Sequence, residues 1–321
     1  MNQENNDKNK AIYTFLETQL KLFRGHFLIT QASMDKESIH QMRVAIKRIR
    51  TIQKLKKHIN FPALIDTSQF ELIKNIFDVS GQLRDLQISN GLLKIYRKEL
   101  KCPFDDLSAH ISDLQVTLKE QLTLTIEETD LDQFSDLTES EEHVEGIDAA
   151  ADLENESLNF LIKKIDKISR LLLMLDQEER VHDLRKQVKQ LFFILQFFKQ
   201  HFPESNFGEF KLKYLKAAAE ALGTWNDRDV LMSRVNSFLN ILGDAYLEEH
   251  AEYLILLYVL DHEKQQMLRD TDLNLYLELI KIRTILDEII PREGVVEGMD
   301  ELSTNSPDQP EEVVSATQET P

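Results

Sequence analysis

Cations at helical spacing are the residues of this chain best placed to do chemistry. In residues 39–55, IHQMRVAIKRIRTIQKL, and just beside them, Lys36, His40, Arg43, Lys47, Arg50, Lys54 and Lys57 fall within about 100° of arc on a helical wheel. Ile39, Met42, Ile46 and Ile49 fall on the adjoining arc, so one face is built for a core and the other for an anion. Successive cations on such a row stand about 5 Å apart along the axis. Like charges at that spacing repel by roughly a few tenths of a kcal/mol per pair, and no acid is mixed into the row to relieve them. Taken by itself, the segment reads first as a solvated basic face.

An internal repeat shifts that balance. His40-x-x-Arg43-x-x-x-Lys47 recurs 142 residues later as His182-x-x-Arg185-x-x-x-Lys189. Lys74, Gly81 and Asp85 are matched at the same offset by Lys216, Gly223 and Asp227, and Phe61-Pro62 is matched at 141 by Phe202-Pro203. Polar positions matched in order over so long a stretch mark two copies of one helical unit. The copies are unequal. The first runs on through Arg48, Arg50 and Lys54, whereas the second continues Gln190-Leu191-Phe192-Phe193 and loses its cations after one turn. The first motif helix is therefore expected to supply most of the electrostatic attraction. Behind the motifs, FELIKNIFDVSGQLRD and LKYLKAAAEALGTWND bring Lys74, Arg84, Lys213 and Lys216, which are expected to extend the basic surface. Gly81 and Gly223 are expected to end a helix or permit close packing at a turn. Asp85, Asn226 and Asp227, just beyond, are expected to cap the next helix or to orient a cation.

The elements that must hold these residues read as helical throughout. Apolar residues at three- and four-residue spacing predict helices at about 8–30, 34–59, 68–79, 82–101, 104–126, 153–176, 178–200, 207–221, 226–242, 247–266 and 272–290. In the body, proline occurs only at Pro62, Pro103 and Pro203, positions that stop helices, and Ser68 with Glu71 has capping-box spacing. Trp225, Phe192, Phe193, Phe197 and Phe198 read as bundle core. The expected architecture is all-α, with two antiparallel bundles of four-helix type. Repeat one covers 8–126 and repeat two 153–290 of a single unit at 8–290.

The formal charge is −18, but it is concentrated. Residues 127–156 hold thirteen acids and no Lys or Arg, and residues 287–321 hold ten acids and one Arg, so the rest of the chain carries a formal +4. Residues 127–152 are expected to be an acidic linker, able to compete with anions for the basic face, and residues 291–321 a disordered acidic tail. The single cysteine, Cys102, leaves no internal disulfide, and no apolar run approaches membrane-spanning length. A cytoplasmic protein with no membrane association is the expectation.

Other chemistries find little support. His262-Glu263 is followed by Lys264-Gln265-Gln266 and lacks the second histidine of a zinc protease motif. No glycine-rich phosphate loop and no G-x-S-x-G elbow is present. Asp227 with Asp229 is a pair more often used for capping or ion pairing than for metal, and no cofactor or metal site is expected.

His40, Arg43, Lys47, Arg48 and Arg50 with GQLRD at 81–85, and His182, Arg185 and Lys189 with GTWND at 223–227, resemble the CHAD proteins, named for a conserved-histidine α-helical domain. The organisation matches over most of residues 10–290. The resemblance implies two helical bundles related by a pseudo-two-fold, facing each other across a basic channel that binds inorganic polyphosphate. It also implies association with polyphosphate granules in some members. The shortened second stripe and the acidic segments depart from that pattern. The expected function is non-catalytic polyphosphate binding by His40, Arg43, Lys47, Arg48, Arg50 and Lys54 on one side and His182, Arg185, Lys189, Lys213 and Lys216 on the other. Arg48 lies off the main stripe on the wheel. A row of donors suits a linear polyanion, with Arg giving forked donors, Lys point charges and His a donor in either protonation state. Nucleic-acid binding is the alternative, disfavoured by the acidic total and the lack of a reading motif. A Mg²⁺-dependent phosphoanhydride hydrolase using Asp85 and Asp227 is less favoured still, with one carboxylate per repeat.

Overall fold

The computed structural model describes residues 2–58, 67–134, 153–175, 177–201, 212–243 and 251–289. Its elements are α1 (Asn2–Ser33), α2 (Lys36–His58), α3 (Thr67–Leu100), α4 (Asp105–Glu127), α5 (Leu153–Leu172), α6 (Glu178–His201), α7 (Lys213–Leu242) and α8 (Ala251–Ile289), with one 3-10 turn at Leu131–Phe134. The fold is all-α, as the periodicity predicts. The acidic stretch beyond residue 134, the tail from 291 and the two Phe-Pro pairs lie outside the described residues.

α2 is set by its first turn. The Asp35 carboxylate accepts hydrogen bonds from Ser38 N (2.8 Å) and Ser38 Oγ (3.0 Å), satisfying a free amide at the helix start. The Ser38 amide bond also holds the Asp35 carboxyl below its ordinary pKa. Ile39, Met42, Ala45, Ile46, Ile49, Ile52 and Leu55 then form one fully buried stripe. Each large side chain among them contributes about 1.5–3 kcal/mol of burial, enough to offset the repulsion along the opposite, cationic face.

Among the described residues, the eleven predicted segments become eight helices, because three predicted breaks do not occur. Segments 68–79 and 82–101 are continuous in α3, and the described parts of 207–221 and 226–242 are continuous in α7 and those of 247–266 and 272–290 in α8. Gly81 and Gly223 lie in mid-helix, so neither ends a helix or makes a turn. A helical glycine costs only about 1 kcal/mol relative to alanine, which long, heavily packed helices absorb. Asp85, Asn226 and Asp227 are likewise mid-helix and cap nothing.

The repeat is visible in the helix ranges. α6 starts 142 residues after α2, and α7 ends 142 residues after α3. α1 packs on α2, α2 on α3, α3 on α4 and α4 on α1, while α5 to α8 close a matching ring. The halves meet where α2 touches α5 and α6, and where α7 touches α3 and α4. The cores do not follow the halves. One cluster runs from Phe23, Met42 and Ile49 to Leu191, Trp225 and Leu286. The other joins Leu86, Tyr96, Phe104 and Ile111 to Leu231, Phe238, Tyr253 and Leu260. Both draw on each repeat.

The first residues of the 127–152 stretch, expected as an acidic linker, are held on the core. Leu131–Phe134 forms the 3-10 turn, and Phe134 is buried with its ring 5.5 Å from that of Phe23, so an apolar residue pins the first part of the stretch to the core.

Candidate anion-binding seam

The seam lies where α2 and α3 face α6 and α7. Arg43 on α2 is fixed by α3: its Nη1 donates to the Phe77 carbonyl and to Ser80 Oγ (3.2 Å), and its guanidinium lies 4.1 Å from the Phe77 ring centroid. Phe77 also carries Arg50 at 4.9 Å and Lys47 at 5.8 Å, so one aromatic face gathers three cations of the stripe. Gly81 is needed for this approach. A Cβ there would stand 2.7 Å from Arg43 Nη1, closer than a side chain tolerates. At Gly223 the corresponding contact is Lys189 Nζ at 3.6 Å, an ordinary distance.

Charges perturb one another within each repeat and also between repeats. Burial lowers the pKa of Lys47 to about 7, helped by Arg43, Lys189 and Arg185, and opposed by Asp85. Burial likewise lowers Lys189 to about 8, with Arg185 adding to it and Asp227 and Glu220 opposing. Arg43 is lowered to about 10 by burial, against Asp85 and Asp78 and with Arg84 and Arg185. Arg185 is lowered by burial against Asp227 and Asp85, and its Nε is buried without a hydrogen-bond partner. Asp85 and Asp227 are both raised by burial, each opposed by nearby cations, and Asp85 raises Asp227 further. Arg185 thus acts on Arg43, Lys189 on Lys47 and Asp85 on Asp227, placing these repeat equivalents within electrostatic reach of one another across the pseudo-two-fold. Among the described residues, no hydrogen bond or ion pair reaches Nζ of Lys47 or Lys189. Asp85 and Asp227 partly balance the four cations, though among the described residues no ion pair within 4 Å joins either carboxylate to them. Asn226 supports the second of them with a side-chain hydrogen bond to Asp227.

The two histidines are not equivalent in their surroundings. Burial and Arg84, with Lys47 and Arg43, lower the pKa of His40 against Glu37. His182 Nε2 instead lies 3.0 Å from Asp229 Oδ2, with its ring edge-on to Trp225 at 5.0 Å. Asp229 is held by Lys264, a buried lysine that also donates to Glu178 Oε1 (2.6 Å) and sits over the Trp225 ring. Burial opposes the Lys264 charge, but Asp229 and Glu178 overcome it and keep its pKa raised. The repeat position of Asp229 is Gln87, whose amide oxygen accepts from Arg84 Nη1 (3.2 Å), so the first repeat has no such anchor.

The other expected residues divide. Arg50 and Lys54 continue the α2 row. Arg48 turns away from it, donating to Gln19 Oε1 on α1 (3.4 Å) and lying over Phe193, as its off-stripe position on the wheel requires. Lys74 and Lys216 are exposed and paired along their own helices with Glu71 (3.0 Å) and Glu220 (3.7 Å). Lys213 is exposed and approaches only the Tyr214 ring. Trp225, Phe197 and Phe198 are buried, while Phe192 and Phe193 are half-buried.

Three contributors have no signal in the spacing. Phe77 has Ala219 at its repeat position, Arg234 faces Asp85 from α7 with Leu92 opposite it in the repeat, and Lys264 lies in α8, outside the motif. Among the described residues, no three His, Cys, Asp or Glu side chains converge as metal ligands, and no helix is long and apolar enough to cross a membrane.

This architecture defines a class: a duplicated all-α unit with a cation-lined seam between its copies. The chain belongs to the CHAD-domain family, whose model matches residues 14–236. It is similar in structure to the crystal structure of the CHAD domain from the plant Ricinus communis, with a TM-score of 0.62 and 20% identity, covering 87% of this chain and 91% of that one. No curated protein matches the chain significantly.

Proposed function

We propose that this chain binds inorganic polyphosphate along the seam and does not transform it. The supporting observation is the electrostatic coupling of Arg43, Lys47, Arg185 and Lys189 from two repeats, each half-buried, opposed by the Asp85 and Asp227 carboxylates. Desolvated like charges destabilise a fold, so such a cluster is understandable where a polyanion completes it. A linear chain bearing about one charge per phosphate fits a row of donors better than a compact anion does. The low pKa of Lys47 and Lys189 describes the free state, and a polyanion raises both. CHAD-family membership and the resemblance of the motifs to polyphosphate-binding members support the same ligand. We assign the seam a binding role, in the cytoplasm and at polyphosphate granules.

The test is a titration of long-chain polyphosphate into wild type and Arg43→Ala/Lys47→Ala. The variant should keep its helical circular dichroism and lose at least about tenfold in affinity, while wild-type log affinity falls linearly with log salt. Full binding by the variant at moderate salt rejects the seam as the site. Release of orthophosphate on prolonged incubation with Mg²⁺ rejects the non-catalytic assignment.

A further inference from the structure

Beyond the seam, the α2 row meets a group of lysines that belongs to no repeat pair. Lys164 on α5 reaches across to α6, donating from Nζ to Gln187 Oε1 (2.6 Å) and Gln190 Oε1 (2.7 Å). That places it beside the turn that carries Lys186 and Lys189. α2 packs on both α5 and α6, and Lys54 at its far end perturbs this group: burial lowers its pKa, followed by Arg50, Lys167 and Lys186. Lys164 is lowered to about 8 by burial, Lys54 and Lys167. Nearby acids are engaged elsewhere or weakly. Asp166 is taken by Arg283 (2.6 Å), and Asp183 stands 3.8 Å from Lys186.

The pseudo-two-fold supplies a control within the molecule. The repeat positions of Lys54, Lys164, Lys167 and Lys186 are Gln196, Leu22, Gly25 and Val44, none of them cationic. These four lysines therefore have no cationic counterparts at the other end. From Arg43 to Lys54 the row alone spans about 16 Å of helix.

We propose that Lys54, Lys164, Lys167 and Lys186 form a one-sided arm of the binding groove, which engages a linear polyphosphate only after it has filled the seam and so selects long chains over short ones. The arm rests on the seam's being a polyphosphate site. A short anion satisfies the paired walls and leaves the arm empty; a long one adds the arm's contacts.

The experiment compares tripolyphosphate with chains of about a hundred phosphates on wild type, Lys167→Ser/Lys186→Ser, the same pair with Lys164→Gln, and Lys47→Ala/Lys189→Ala. Lys167 and Lys186 are exposed, so the first variant leaves the core untouched. Both arm variants should bind tripolyphosphate within about twofold of wild type, lose about tenfold for the long chain and lower its salt slope by about one to two. Equal loss on both ligands, or no loss on either while the Lys47→Ala/Lys189→Ala variant is impaired, overturns the arm and leaves the seam standing. Wild type that binds neither ligand overturns the seam reading and the arm with it.

Discussion

Polyphosphate binding should draw protons from solution, and the amount follows from two lysines. In the free protein, with pKa values of about 7 and about 8, Lys47 carries its proton about a quarter of the time at pH 7.5 and Lys189 about three quarters. A polyanion lying between them raises both well above that range, so both are charged in the complex. Binding at pH 7.5 then takes up about one proton, and affinity falls on the order of a hundredfold between pH 6.5 and 8.5. Calorimetry in two buffers of different ionisation enthalpy measures the uptake directly. Lys47→Arg with Lys189→Arg should abolish most of it and flatten the pH profile, since guanidinium stays charged throughout. Uptake near zero with wild-type affinity level across that range refutes the reasoning. The same shifts fix a sign for stability. Between about pH 7 and the ordinary lysine value of 10.5, unfolded Lys47 binds more protons than folded Lys47, so this group makes the free protein more stable as pH rises. Bound polyphosphate removes that slope. Thermal denaturation across pH, with and without ligand, checks it.

Two substitutions test how the seam is supported. Gly81→Ala should displace the Arg43 guanidinium from Phe77 and weaken polyphosphate binding several-fold, whereas Gly223→Ala should leave binding near wild type and stabilise α7 by up to about 1 kcal/mol; parallel titrations and melts separate the two. Lys264→Met should cost about 3–5 kcal/mol in urea denaturation, because it leaves Asp229 partly buried beside His182 without its cation.

The motif residues were legible because a row of cations at helical spacing, repeated at one offset, marks a surface that two copies of a unit share. His40, Arg43, Lys47, Arg185 and Lys189 could be named from that pattern alone. Continuity of the helices was not legible. Glycine at 81 and 223 is a breaker signal in local sequence, and only the packed structure shows the helix passing through both, with the close approach of Arg43 accounting for the glycine at 81. The nearness of Asp85 and Asp227 to the seam cations was readable from their place beside the motif; their mid-helix position was hidden by the same glycines. Phe77, Lys264 and Lys164 escaped because each acts from an element whose approach to the seam depends on tertiary packing, and none has a repeat partner to draw the eye. Equivalence was over-read at the histidines, where one exchange, Gln87 against Asp229, gives His182 a carboxylate that His40 lacks.

Both apolar clusters draw on both repeats, and this bears on how such a chain arose. Neither half owns a core it can close alone, so the molecule should gain and lose structure as one cooperative unit, not repeat by repeat. A single-copy ancestor would have needed a twin to bury the same surfaces, and its seam would have been strictly symmetric, with Lys47 and its own copy face to face. Joining the copies in one chain freed the two ends of that seam to diverge, which a homodimer cannot do.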